Sequence, residues 1–129
     1  MTDNATMTIS ELAKAIIKLA SEKSVMLVLA ESCTGGMIAA ALTDIAGSSA
    51  VLDRGLVTYS NQAKQDLLGV SDDILAGHGA VSAETAIAMT TGALLKTPSA
   101  RLAASVTGIA GPGGGSQDKP VGLVHFSCQ

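Results

Sequence analysis

Leu12, Ile16, Leu19 and Ala20 fall on one face at helical spacing, with Lys14, Lys18 and Glu22 on the other. Ahead of them, Thr8-Ile9-Ser10-Glu11 reads as a capping box. The Thr hydroxyl takes the amide three residues on, and the Glu reaches back. Val25–Ala30 is a continuous apolar run, as in a strand covered on both faces. The polar, glycine-rich turn Glu31-Ser32-Cys33-Thr34-Gly35-Gly36 follows and leads into a small-residue helix predicted over Met37–Thr43. Strand, tight loop and helix in succession begin an α/β architecture.

The same pattern predicts a strand over Leu52–Tyr59, a short helix over Gln62–Leu68 and a helix start at Asp72-Asp73. Ser82 reads as the N-cap of a longer helix, with Glu84 well placed for its dipole. Ile87, Thr91, Leu94 and Leu95 form an apolar stripe that stops near Pro98. Leu102–Thr107 reads as another buried strand, Gly108–Ser116 as a long glycine loop, and Pro120 as the opening of a final strand, Val121–Ser127. Neither an internal repeat nor an interdomain linker interrupts this order, so one domain over residues 1–129 is expected.

Composition narrows the function. The 129 residues are 47% hydrophobic but only 2% aromatic, so Ala, Val, Ile, Leu and Met must build the core. With 8 Lys+Arg against 11 Asp+Glu the net charge is −3, and no basic run occurs. Nucleic-acid binders need a positive surface and often aromatic platforms, so that class is not expected. The N-terminus lacks a secretory pattern and no apolar run spans a bilayer, so no membrane partner is expected. Cys33 and Cys128 are far apart, which suits a reduced, cytoplasmic compartment.

Three segments can carry chemistry. The first is Ser32, at a strand–turn–helix junction of the kind where α/β folds bind ligands. Gly35 and Gly36 leave amides open there for an anion or an oxyanion. A Ser that merely caps the helix is the plainer alternative. Cys33 is a rival nucleophile, though an inert buried thiol is the better reading. The second is Thr58-Tyr59-Ser60-Asn61-Gln62-Ala63-Lys64, with Arg54 upstream. Lys64 can serve as general base if burial lowers its pKa, and the Tyr59 phenol can donate to an oxyanion. Taken alone, a solvated Lys64 and an amphipathic strand end at Tyr59 fit the composition better. The third is the glycine loop, whose amides can approach a phosphate, with side-chain help from Thr107, Ser116 and Lys119. It is neither a Walker A loop nor Gly-x-Gly-x-x-Gly. Isolated His78 and His125 and the lack of Cys-x-x-Cys give no metal site. Ser48-Ser49 reads first as a cap.

Five blocks in order resemble the CinA-like family, whose members include bacterial nicotinamide mononucleotide deamidases. They are Ala30–Gly36, Thr43–Ser49, Gly55–Lys64, His78–Ser82, and Val106–Gly115 with Lys119-Pro120-Val121-Gly122. The resemblance implies a three-layer α/β/α domain around a mostly parallel or mixed sheet. It implies hydrolysis of nicotinamide mononucleotide to the nicotinate form and ammonia, without metal or cofactor. Ser32 would then be nucleophile, Lys64 its base and Tyr59 the helper, with Ser48 a competitor for the nucleophile. Substrate contacts are expected from Thr34, Gly35, Gly36, Ser48 and Arg54, and from Thr107, Gly108, Gly111, Gly113 and Gly114. Glu31 would face the cationic ring or serve a structural purpose. Family domains usually continue past the Lys-Pro-Val-Gly strand, so this domain is expected to be short at its C-terminus. An uncovered sheet edge invites pairing, so a homo-oligomer is expected. The alternative reading is a non-catalytic nucleotide-binding or regulatory module of the competence/damage-inducible type.

Overall fold

Thr8 starts the first helix, α1 (Ile9–Glu22), as the capping box predicts. Its Oγ1 accepts from Glu11 N at 3.1 Å, while its own amide donates to Glu11 Oε2 at 2.7 Å. The structure, a computed structural model, describes residues 6–129; the N-terminal reading over Met1–Ala5 lies outside them. The buried face of α1 is Ala13, Ile17 and Ala20; of the expected stripe Leu12, Ile16, Leu19 and Ala20 only Ala20 is buried, and Ile16 and Leu19 are exposed. Apolar residues cover a little over half the circumference of this helix, wider than the face the sheet accepts. The face carrying two alanines is the one seated against the sheet, where small side chains allow close approach.

β1 (Leu27–Glu31) is buried along its whole length and organises the molecule. Leu27 and Leu29 face Ala13 and Ile17 of α1, with Leu42 of α2 (Met37–Thr43) and Val51. Val28 and Ala30 face the other way, following the two-residue alternation of a strand. They pack with Leu68 of α3 (Asn61–Leu68), Leu75 of α4 (Asp72–His78), and Met89 and Ala93 of α5 (Ala83–Lys96). Helices therefore cover the sheet from both sides, giving the three layers. The sheet is mixed, in the order β2 (Leu52–Val57), β1, β3 (Leu102–Gly108), β4 (Val124–Cys128). β1 is parallel to both neighbours, and β4 is antiparallel to β3.

Two expectations need correction. On α5 the buried face is Thr85, Ala86, Met89, Thr90, Gly92 and Ala93, while Ile87 and Leu95 of the expected stripe are exposed. Gly92 explains the choice. A Cβ there would lie 1.8 Å from the carbonyl oxygen of Leu68, so only glycine lets α3 and α5 touch backbone to backbone. The final strand also starts later than Val121. Gly122 and Leu123 instead exchange backbone bonds with Ile109, which anchors the glycine loop.

Candidate active site

Parallel neighbours make β1, β2 and β3 end at one edge of the sheet, and the loops that leave them build the site. Ser32 follows β1, and its amide donates to Val106 O of β3 at 3.0 Å. Glu31 O accepts from Thr58 N at 2.8 Å, fixing the peptide before Ser32 to the end of β2. Chain and side chain then part. Gly35 and Gly36 take φ of +59° and +105°, turning the backbone sharply into α2.

Lys64 arrives from α3, whose N-cap Ser60 accepts from Ala63 N at 3.0 Å. The cap places Lys64 on the first turn, facing inward. Its side chain is 1% exposed, and Nζ lies 2.9 Å from Ser32 Oγ. The same Nζ reaches Thr58 O at 2.8 Å and Tyr59 O at 3.2 Å. Burial pushes the Lys64 pKa below its ordinary 10.5, with the neighbouring Cys33 opposing in part. Nζ donates in each of these contacts; with the amine neutral, two N–H bonds would serve the two carbonyls and the lone pair would face the Ser32 hydroxyl. That is the arrangement a general base requires.

Ser32 and Lys64 form one wall of a cleft of about 310 Å³. Thr107, Gly108, Gly111, Gly113 and Gly114 form the opposite wall, as expected of the glycine loop. Among the described residues, the amides of Ala110, Gly111, Gly113 and Gly114 meet no protein acceptor, so they are free to bind an anion. Cys33, Ala80, Val81 and Ile109 complete the cleft. Of these, Ala80 and Val81 had no chemical signal in the sequence. Thr107 brings them in by donating from Oγ1 to Ala80 O at 2.7 Å.

Several expected residues sit elsewhere. Tyr59 is 71% exposed at the mouth of the cleft, and it meets Lys64 and Ser32 through its backbone carbonyl, not its phenol. Thr34 is turned away, donating to Glu31 Oε1 at 2.6 Å. With Gly35 and Gly36 it forms the turn behind Ser32 and does not line the cleft. Glu31, 1% exposed, faces neither solvent nor cleft. It accepts from Ile38 N and Ala39 N at the start of α2, so that helix end has no room for a substrate anion. Ser48 lies in a 3₁₀ turn, Ser48–Ala50, before β2, at the edge of the sheet where β1 begins. Arg54 points to the same far end, donating to Asp53 and to Lys96 O at the end of α5. Ser116 caps the Lys119 amide, and Lys119 Nζ donates to His78 O at 2.6 Å, so neither lines the cleft. Among the described residues, no three His, Cys, Asp or Glu side chains gather into a metal-binding group.

The sequence pattern described as the CinA C-terminal domain matches residues 9–129. The chain belongs to the CinA C-terminal domain family. This CinA domain is 50% identical over 127 residues to the nicotinamide-nucleotide amidohydrolase PncC of Escherichia coli K12, covering 98% of this chain and 74% of that one. It is 57% identical over 113 residues to a CinA-like protein of Geobacter sulfurreducens, covering 88% of this chain. The chain spans only 27% of that relative's length. Among solved structures, the competence/damage inducible protein CihA of Agrobacterium tumefaciens superposes with a TM-score of 0.91 at 58% identity. That match covers 94% of this CinA domain and 73% of CihA. No described helix is long and apolar enough to cross a membrane.

Proposed function

We propose that this CinA domain hydrolyses the carboxamide of nicotinamide mononucleotide, giving nicotinate mononucleotide and ammonia. The observation that carries the reading is the 2.9 Å approach of Lys64 Nζ to Ser32 Oγ inside the cleft. The name of the 50% identical E. coli relative supports the substrate class.

In this reading Lys64 takes the proton of Ser32 as Oγ attacks the carboxamide carbon. The oxyanion forms beside the amide of Cys33, which lines the cleft and among the described residues meets no protein acceptor. Such a donor contributes about 3–4 kcal/mol in other hydrolases. The C–N bond breaks as Lys64 returns the proton to the departing nitrogen, leaving ammonia and a nicotinoyl ester on Ser32. Water, deprotonated by Lys64, then cleaves the ester and restores the hydroxyl. The open amides of the glycine loop hold the phosphate, and Tyr59 flanks the entrance. The cationic pyridinium raises the electrophilicity of its carboxamide, which suits a serine activated by one lysine.

The reading takes the chain as one domain that acts on a small nucleotide in the cytoplasm, without cofactor and without nucleic-acid or membrane partners. The same reading includes assembly with further copies of the chain. Ammonia release from nicotinamide mononucleotide, with a chelator present, tests the reaction. Release that Ser32→Ala abolishes supports it. A folded chain that releases none overturns it.

A further inference from the structure

Glu31 is the one charged side chain of β1, and the reaction as written does not use it. Its carboxylate is fully engaged: Oε1 accepts from Thr34 Oγ1 at 2.6 Å and Ile38 N at 3.0 Å, and Oε2 from Ala39 N at 2.9 Å. Among the described residues it pairs with no Lys or Arg. The compensating positive charge is the N-terminus of α2 itself, two of whose open amides it takes. Burying a carboxylate is costly unless every lone pair is directed. Its place in the chain shows what the arrangement holds. Glu31 immediately precedes Ser32; one of its donors, Thr34, lies within the turn and the other two, Ile38 N and Ala39 N, lie beyond it, so the side chain closes a loop around residues 32–37. That loop contains Ser32 Oγ and the unpartnered amide of Cys33. It also contains two glycines at positive φ, which on their own leave it free to move.

We propose that Glu31 is a positioning residue, whose buried carboxylate clasps the start of α2 and so holds the Ser32 hydroxyl and the Cys33 amide in attacking geometry. The proposal rests on the reading of Ser32 as nucleophile. Because the clasp orients reacting groups and touches no substrate, its loss lowers kcat and leaves KM in place. A misplacement of about 1 Å is enough to cost up to roughly 100-fold in rate.

The test uses the whole chain with Glu31→Gln, which keeps the volume and one acceptor but sets an NH₂ against a donor. Thr34→Val removes only the hydroxyl donor and serves if the first variant does not fold. Two rates are read on samples with native circular dichroism. One is turnover of nicotinamide mononucleotide; the other is phosphonylation of Ser32 by a fluorophosphonate, which needs no natural substrate. The expected result is a fall of about tenfold or more in both for Glu31→Gln, and about threefold for Thr34→Val, with KM within about twofold. Both rates staying within twofold overturns the proposal, however far the melting temperature falls. So does a rise in KM at unchanged kcat, which marks a substrate contact. If the wild type does not turn over the nucleotide, the proposed reaction fails while the labelling rate still judges Glu31. A wild type that neither turns over nor labels overturns both.

Discussion

Lys64 meets Ser32 across 32 residues of sequence, and the two are brought together by the way β2 ends. The chain leaves the sheet after Val57, passes Thr58 and Tyr59, and starts α3 at the Ser60 cap. The carbonyls exposed by that departure, those of Thr58 and Tyr59, are the ones that aim Lys64 Nζ. Lys64→Met keeps most of the volume and removes the base. Turnover is expected to fall about 10²–10⁴-fold, the usual contribution of general acid–base catalysis. Lys64→Arg is expected to be equally inactive, since a guanidinium does not lose its proton. Steady-state ammonia release, with circular dichroism as a control for folding, checks both.

The buried position of Lys64 also sets a pH dependence. Burial lowers its pKa from 10.5, so the folded chain holds that proton less tightly than the unfolded chain. Below the lowered pKa the folded state bears the full penalty of a buried ammonium. The penalty shrinks as pH rises from there toward 10.5 and is gone above it. Activity follows the neutral form. The expected kcat/KM profile rises with pH and levels off below 10.5, and Lys64→Met removes the rise. A profile still climbing through 10.5 would show that the lysine is not the base.

Much of this was legible in the sequence, and the parts that were not share a cause. Strands and helix caps were readable because they depend on neighbours: the apolar run of β1, the capping box at Thr8 and the cap at Ser82. The buried faces of α1 and α5 were misread because both helices are apolar over a wide arc. Close approach chose alanine and glycine over the larger residues that periodicity favours. Residue type marked the glycine loop and left Ser32 open, but taken alone it favoured a solvated Lys64; the resemblance to the family is what joined Ser32 and Lys64, which the structure places 2.9 Å apart. Arg54 was placed by its neighbourhood in sequence and Ser48 by its matching block, whereas a parallel strand carries its two ends to opposite edges of the sheet. Glu31 had a signal that was underused, a carboxylate ending an apolar strand just before a helix, where open amides await an acceptor.

That separation of edges distinguishes the candidate nucleophiles. Ser32→Ala is expected to lower turnover at least 10³-fold, because it removes the attacking oxygen. Ser48→Ala, at the far edge, is expected to retain turnover within about threefold, because Ser48 opens a 3₁₀ turn whose N-cap is Gly47 and supplies no side-chain cap there. Cys33 lines the cleft but has no bond to Lys64, so Cys33→Ser is also expected to remain active. Assaying the three variants side by side on nicotinamide mononucleotide makes the comparison. Loss in Cys33→Ser with activity in Ser32→Ala would reverse the assignment.

Gly92 supplies a prediction about stability with no direct bearing on chemistry. Alanine is a better helix former than glycine by about 1 kcal/mol, so on propensity alone Gly92→Ala in the middle of α5 would stabilise. The structure reverses the sign. The added methyl would stand 1.8 Å from Leu68 O and 2.7 Å from Leu68 C, and both are backbone atoms at the end of α3. No side-chain rotation relieves that contact, so the two helices must separate. The cost of such overpacking is about 1–3 kcal/mol, more where the backbone must shift. Because α3 carries Lys64, the same displacement moves Nζ away from Ser32. A lower melting temperature together with reduced kcat is therefore expected from this one methyl group. Thermal denaturation followed by circular dichroism checks the first, and ammonia release well below the melting point checks the second. A Gly92→Ala chain as stable as the wild type would mean that α3 and α5 do not touch where Leu68 now lies.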